Sequence, residues 1–206
     1  VQPDGKIIVG GHFNYYNGIK TISLIRLNQD GSLDTTFKFI SGGYYIYAAK
    51  HIEVQADGKI IIVGDENNGS KNLSRLFSDG STDKSFLPPN YNFGNIAIQS
   101  DGKYVVTHNS NTISATEFSK ISRLNIDGSV DASFSSAQLS GLYGGFVLSK
   151  KILIPNDGKI VIGGLFTGCN STSSRDLVRL NTNGLVDTSL QIGSGFAGLL
   201  TNDFHW

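Results

Sequence analysis

The sequence predicts an all-β chain built from four copies of one unit, and three observations predict it. Asp-Gly-Lys recurs at Asp4-Gly5-Lys6, Asp57-Gly58-Lys59, Asp101-Gly102-Lys103 and Asp157-Gly158-Lys159. A β-branched or aromatic run follows each: Ile7-Ile8-Val9, Ile60 to Val63, Tyr104-Val105-Val106 and Ile160-Val161-Ile162. A second turn then arrives at Asp30-Gly31, Asp79-Gly80, Asp127-Gly128 and Asn183-Gly184, which is 26, 22, 26 and 26 residues after the first turn glycine. A motif that recurs at roughly fifty-residue intervals marks a repeat architecture, in which each unit buries its faces on its neighbours.

The elements follow in order along the unit. Asp-Gly and Asn-Gly supply the positive φ that tight hairpin turns need. Segments before the first turn, from Tyr45-Ile46-Tyr47 to Val54 and from Phe146 to Ile154, read as a strand. The run after the first turn is a second strand, and one strand lies on each side of the second turn. No segment carries a sustained helical period with caps. A unit is therefore expected to be a four-stranded antiparallel sheet, too small to bury both faces alone. Stacking such sheets around an axis buries them and protects their edges, so the expected fold is a β-propeller with four repeats in this chain.

The register around the second turn is the same in all four copies. An arginine stands five residues before the glycine (Arg26, Arg75, Arg123, Arg179) and a leucine follows it. An aspartate stands three residues after the glycine (Asp34, Asp83, Asp131, Asp187), and a large apolar residue closes the unit at Phe37, Phe86, Phe134 and Leu190. The first turn glycines are spaced by 53, 44 and 56 residues, so a constant core carries loops of adjustable length. The units run over approximately 1–40, 41–90, 91–140 and 141–190 of a single domain, with 191–206 expected to supply a terminal or closing strand. That strand either closes a four-bladed ring against the first unit, or the chain is an excerpt of a longer propeller. The absence of methionine and a start in mid-unit favour the excerpt, and Val1 is not an initiator.

Composition excludes several function classes. With 17 basic and 17 acidic residues the net charge is zero, so no global field steers nucleic acid or an anionic membrane to the protein. No apolar run approaches the roughly 18 residues of a membrane helix, so no membrane insertion is expected. The single Cys169 excludes an internal disulfide and a cysteine zinc site.

The stretch Val1-Gln2-Pro3-Asp4-Gly5-Lys6-Ile7-Ile8-Val9-Gly10-Gly11, with Phe13, followed by Ile25-Arg26-Leu27-Asn28, Asp30-Gly31-Ser32-Leu33-Asp34 and Phe37, resembles the delta-60 repeat, a family expected to form bacterial β-propellers. The resemblance covers essentially the whole chain. The second copy departs most, with Phe77 and Ser78 in place of the Asn and its neighbour and Asp65 where a Gly-Gly pair would continue. The resemblance implies a secreted or surface protein of bacteria, or a phage structural protein. It implies no activity and no catalytic residue.

Candidate sites are few. Asn28, Asp30, Ser32 and Asp34 alternate like the middle of a calcium loop. Arg26 stands where a further acid would be wanted, however, and the second unit has Phe77 for the Asn. A turn capped by its own aspartate, with an Arg–Asp ion pair across the hairpin, is the better reading. The pairs Arg26–Asp34, Arg75–Asp83, Arg123–Asp131 and Arg179–Asp187 are thus expected within salt-bridge reach. Gly193-Ser194-Gly195-Phe196-Ala197-Gly198 fits the dinucleotide pattern but lacks the strand before it and the helix after it. His12, His51, His108 and His205 occupy different places in the unit and share no metal spacing. Tyr15, Tyr16, Tyr44, Tyr45, Tyr91 and Tyr143 fall in variable segments, where they either stack on a ligand or pack one unit on another. Loops 14–21, 67–72, 109–120 and 168–175 are rich in Asn, Ser, Thr and Gly.

The expected function is a non-enzymatic binding or architectural propeller on a bacterial surface or in a virion. It needs no cofactor or metal, and its partner is a protein, a glycan or another part of the same longer chain. The alternatives are a lectin-like propeller that uses the tyrosines, or an enzyme whose site lies in the central channel.

Overall fold

A computed structural model describes residues 1–39, 46–66, 73–109, 120–141 and 148–191. Sixteen strands and no helix occur among them. The first unit holds β1 (Ile7–Gly10), β2 (Tyr15–Tyr16), β3 (Ile19–Lys20) and β4 (Leu24–Leu27); the second holds β5 (Ile46–Val54), β6 (Ile60–Glu66) and β7 (Leu73–Leu76). The third holds β8 (Asn92–Ile98), β9 (Tyr104–Asn109), β10 (Lys120–Leu124) and β11 (Ala137–Ser140). The fourth holds β12 (Leu148–Leu153), β13 (Ile160–Leu165), β14 (Gly168–Cys169), β15 (Thr172–Ser173) and β16 (Leu177–Leu180).

Every first-turn glycine takes up positive φ, 81° at Gly5 and Gly102, and the turns at Gly58, Gly102 and Gly158 join antiparallel strands. The preceding aspartate fixes the bend: Asp4 Oδ1 accepts the Lys6 N–H, and Asp57, Asp101 and Asp157 repeat the bond. The strands β5-β6-β7 and β12-β13-β16 form three-stranded antiparallel sheets, and β1 pairs β4. In the third unit β8-β9-β10 continues through β11 to β14 and β15 of the fourth, making one six-stranded sheet.

The segment after the second turn is not a full strand. It pairs through a single residue in each unit: Leu33, Thr82, Val130 and Val186 sit opposite Leu27, Leu76, Leu124 and Leu180. The chain then curls, as Asp34 N–H donates to Arg26 C=O and Phe37 N–H to Asp34 C=O. Only in the third unit does a fourth strand, β11, follow among the described residues. At the same distance from the turn glycine the second unit carries Pro88 and Pro89 where the third has Ser136 and Ala137. Proline has no N–H to give a ladder, so the strand stops there.

Two of the expected loops are ordered hairpins. Tyr15–Tyr16 pairs Ile19–Lys20 across Asn17-Gly18, and Gly168–Cys169 pairs Thr172–Ser173. Loop 67–72 and residues 110–119 lie outside the described residues, as does the expected closing strand from 192 onward.

The period of two in the strands sets the packing between units. Ile60 and Ile62 join Leu24 and Leu76 in a core toward the first unit. Ile61 and Val63 point the other way and join Phe86, Tyr104, Val106 and Leu124 in a core toward the third. Val105 and Ile121 face on to Ile160, Ile162 and Val178 of the fourth. Each middle sheet is therefore buried on both faces, which accounts for the uninterrupted apolar runs after Asp-Gly-Lys. Cys169 lies in the last of these cores, and burial pushes its thiol up to about 11, so it is an inert packing residue.

Candidate functional site

The repeated polar residues converge on one cluster per unit. Arg26 Nε donates to Asp34 Oδ2 at 2.7 Å, and the same bond is 2.8 Å for Arg75–Asp83 and 2.7 Å for Arg123–Asp131 and Arg179–Asp187. The register brings them together: the arginine sits on the third strand, and the aspartate follows the one-residue bridge across the second turn.

The spacing around the second turn leaves out a member that the structure adds. The lysine of Asp-Gly-Lys reaches the same oxygen: Lys6, Lys103 and Lys159 donate to Asp34, Asp131 and Asp187 Oδ2 at 2.7, 2.8 and 2.6 Å. In the second unit, four residues shorter between its turns, Lys59 stops 3.5 Å from Asp83 and lies over the Phe77 ring instead. The signal was present as a lysine at a constant 28 residues before the aspartate in three units. A serine or threonine two residues after the aspartate completes the cluster. Thr36, Ser85, Ser133 and Ser189 each donate both N–H and Oγ–H to Oδ1. They also accept from the arginine Nη2 at 3.2–3.4 Å.

The electrostatics follow from these bonds. Lys6, and then the Thr36 hydroxyl, hold the Asp34 carboxyl far below the ordinary carboxylate range against the opposing effect of burial. Lys103 with Ser133 does the same for Asp131, and Lys159 with Ser189 for Asp187. At Asp83 burial is the largest single influence and pushes upward, but the bonds from Ser85 and the Arg75 charge outweigh it.

The arginine also faces outward, to the next unit. Arg26 Nη1 donates to Ser78 C=O at 2.6 Å, Arg75 Nη1 to Ile126 C=O at 2.5 Å, and Arg123 Nη1 to Thr182 C=O at 2.9 Å. Each acceptor lies two residues before the next unit's second turn glycine. The closing aromatic lies under the guanidinium, 4.7–4.9 Å from ring centroid to Cζ at Phe37, Phe86 and Phe134. Its ring abuts the neighbouring turn, so a Cβ added at Gly80, Gly128 or Gly184 would meet it at 2.8–2.9 Å. The residue after it donates its N–H to the same turn: Lys38 to Asp79 C=O, Leu87 to Asp127 C=O and Ser135 to Asn183 C=O. The cluster is thus a bolt between consecutive units.

The calcium-like carboxylates are engaged by their own turns. Asp30 Oδ1 accepts the Ser32 N–H and hydroxyl at 2.9 and 2.7 Å, and Asp79 and Asp127 repeat this with Ser81 and Ser129. No group of three or more metal-ligating side chains occurs among the described residues.

The tyrosines separate by environment. Tyr15, on the β2–β3 hairpin opposite Lys20, is 66% exposed, and Ile19 and Ile22 are half exposed. Tyr16 turns inward, and its hydroxyl donates to Gly31 C=O at 2.7 Å. Tyr91 stacks on His108 at 4.3 Å with 7° between the rings. Tyr44, Tyr45 and Tyr143 lie outside the described residues, as do the glycine-rich segment 193–198 and His205. His108 is buried, with Nε2 2.9 Å from Ser122 Oγ and no hydrogen-bond partner for Nδ1 among the described residues. Burial, and then the Lys120 charge, depress it to about 4, so it is a neutral packing group at neutral pH. His51 meets Glu53 at 3.0 Å. Two concavities border the clusters: a shallow one of about 380 Å³ at Arg75, Lys103 and Ile126, and a cleft of about 270 Å³ beside Thr172–Ser174, Arg179 and Leu190.

No curated protein matches the chain. Residues 2–37, 55–86, 99–134 and 156–190 each match the family described as a domain of unknown function (DUF5122) beta-propeller. Each matched block runs from before the Asp-Gly-Lys turn to the closing apolar residue, and so contains one complete cluster. With two thirds of its length matched in four consecutive blocks, the chain belongs to this family of β-propeller repeats.

Proposed function

We propose that the chain is a non-enzymatic binding or architectural propeller module. In this reading its units are delta-60 repeats that stack as four-stranded blades, and it works on a bacterial surface or in a phage particle. One observation carries the reading. The charged residues that recur in every unit are spent on one another, on their own turns and, for Arg26, Arg75 and Arg123, on the neighbouring unit's backbone, so the repeat invests its chemistry in shaping each unit and holding units together. What remains available to a partner is the variable part, above all the β2–β3 hairpin with Tyr15, Ile19 and Ile22 exposed. A rigid frame that carries a hairpin with exposed aromatic and aliphatic residues suits a protein interface. The surface and virion settings rest on the family resemblance.

A photoreactive analogue at position 15 tests the site. Protein crosslinks from that position, weakened by Ile19→Ser, support it, and crosslinks only from other positions reject it. The second reading is a lectin, favoured by Tyr15 standing free for a sugar to stack on. A glycan array tests it: binding lost in Tyr15→Ala supports a lectin, and silence on every sugar removes it.

A further inference from the structure

Two Asn-Gly pairs lie in described turns, Asn17-Gly18 and Asn183-Gly184, and the two turns hold them differently. In such a pair the asparagine side chain is open to attack by its own main chain, because glycine puts no side chain beside the attacking nitrogen. The turn decides whether the attack takes place. It needs the glycine N–H released from any acceptor and the carboxamide free to swing on to the nitrogen.

Asn183-Gly184, in the second turn of the fourth unit, is clamped. The Gly184 N–H donates to Asn181 C=O at 2.9 Å, and Asn183 C=O accepts the Ser135 N–H at 2.8 Å. Asn183 Oδ1 accepts the Leu185 N–H at 3.1 Å. Gly184 is buried, with the Phe134 ring against it.

Asn17-Gly18 is the tip of the β2–β3 hairpin, and both residues are exposed. Their φ values of 46° and 78° are the left-handed pair that a two-residue hairpin requires. Only Tyr15–Lys20 and Tyr16–Ile19 pair behind the tip, so it opens readily. No acceptor takes the Gly18 N–H among the described residues, and nothing lies within 4 Å of a Cβ placed at Gly18. The equivalent hairpin of the fourth unit docks on β11, where Asn170 N–H donates to Gln138 C=O and Asn170 Oδ1 accepts the Gln138 N–H. There too the N–H after the asparagine, that of Ser171, meets no acceptor among the described residues. The released N–H therefore belongs to the hairpin itself, with or without a neighbour packed against it.

We propose that Asn17 is a site of spontaneous deamidation at the hairpin tip, and that the second turn protects Asn183 from the same reaction. The Gly18 nitrogen gives up its proton to hydroxide and attacks Asn17 Cγ. The Cγ–Nδ2 bond breaks, ammonia leaves, and a succinimide closes. Water then opens one of its two carbonyl–nitrogen bonds. Opening at Cγ gives aspartate with the main chain intact. Opening at the original peptide carbonyl gives isoaspartate, with an extra methylene in the main chain. The net change is water for ammonia, and nothing is oxidised or reduced. Either product puts a negative charge on the hairpin that carries Tyr15 and Ile19, and isoaspartate no longer fits the two-residue turn. At Asn183 isoaspartate would instead disturb the bolt between the third and fourth units. This goes beyond the proposed function and does not depend on it.

The test is to hold the folded 206-residue chain at mildly alkaline pH and follow each asparagine by digestion and mass spectrometry. Trypsin releases Asn17 in residues 7–20 and Asn183 in residues 180–206, and fragmentation separates them from Asn14, Asn181 and Asn202. Asn68-Gly69 lies outside the described residues and is read separately in residues 60–71. Asn17 is expected to convert at least roughly tenfold faster than Asn183, the factor that one hydrogen bond on the attacking nitrogen withholds. In urea, where both turns are lost, the two rates are expected to converge. Asn17→Gln is expected to remove the conversion from residues 7–20. Equal rates at the two sites in the folded chain, or a slower rate at Asn17, overturn the proposal. So does conversion of residues 7–20 that survives Asn17→Gln, which places it at Asn14. Rates that stay equally far apart in urea place the cause in neighbouring residues, not in the turns, and overturn it as well.

Discussion

Arg75 and Arg179 make the same bonds within their own units and differ in what comes next. Both donate Nε to an aspartate and Nη2 to a serine. Arg75, however, also reaches Ile126 C=O and the Tyr104 hydroxyl in the third unit, lies over Phe86, and is only 4% exposed. Arg179 has Leu190 where the others have a ring, and no unit beyond it among the described residues. The comparison separates two jobs that one motif performs. The ion pair shapes the second turn locally, and the outward face of the guanidinium fastens the next unit. A buried ion pair is a weak source of net stability, but removing one partner strands the other charge, so the cost is set by how fully the neighbour covers it.

The largest effect is expected at the most covered pair. Asp83→Ala leaves Arg75 buried without its carboxylate and should cost about 3–5 kcal/mol in a urea titration. A loss within about 1 kcal/mol, the range of an exposed pair, would remove the distinction between the two clusters. Next, Gly128→Asn drives a side chain into Phe86 and should cost about 1–3 kcal/mol, while Gly31→Asn, with open space around it, should cost less than about 1 kcal/mol. Equal losses would show that the turn glycines serve only backbone geometry.

Smaller effects appear with pH. His108 has a folded value depressed to about 4 from 6.5, so between those values the unfolded chain binds a proton that the folded chain does not. Stability should therefore be full above pH 6.5 and decline as pH falls toward 4, and His108→Gln should flatten that slope in thermal melts. The cluster aspartates act lower. Their folded values lie below 3.8, so their contribution is complete above that value and is lost as pH falls beneath it. Acid unfolding that begins only in the second range, with no slope between pH 6.5 and 4, would reject the assignment for His108.

Much of this was legible from residues whose role is local. The Asp-Gly and Asn-Gly turns, the apolar runs and the Arg–Asp spacing of eight residues each depend on neighbours close along the chain, and each appears where its spacing places it. The third partner was hidden because Lys6 and Asp34 are 28 residues apart, and only the pairing of β1 with β4 brings them together. The form of the chain after the second turn was not legible, since alternation there reads the same whether the chain continues as a strand or, as at Asp34, curls after one bridge. The Tyr91–His108 stack joins side chains from before and within the third sheet, and no local pattern announces it. The bolts to the next unit depend on backbone carbonyls, at Ser78, Ile126 and Thr182, whose side chains differ and therefore leave no repeated letter.

The central claim is that the arginine fastens each unit to the next. It is tested most directly by comparing Arg123→Gln with Arg179→Gln in urea titrations at dilute protein. The account predicts that Arg123→Gln, which loses its bond to Thr182 C=O in the fourth unit as well as the local pair, costs at least about 2 kcal/mol more than Arg179→Gln, which loses the local pair alone. Equal losses at the two positions would contradict it.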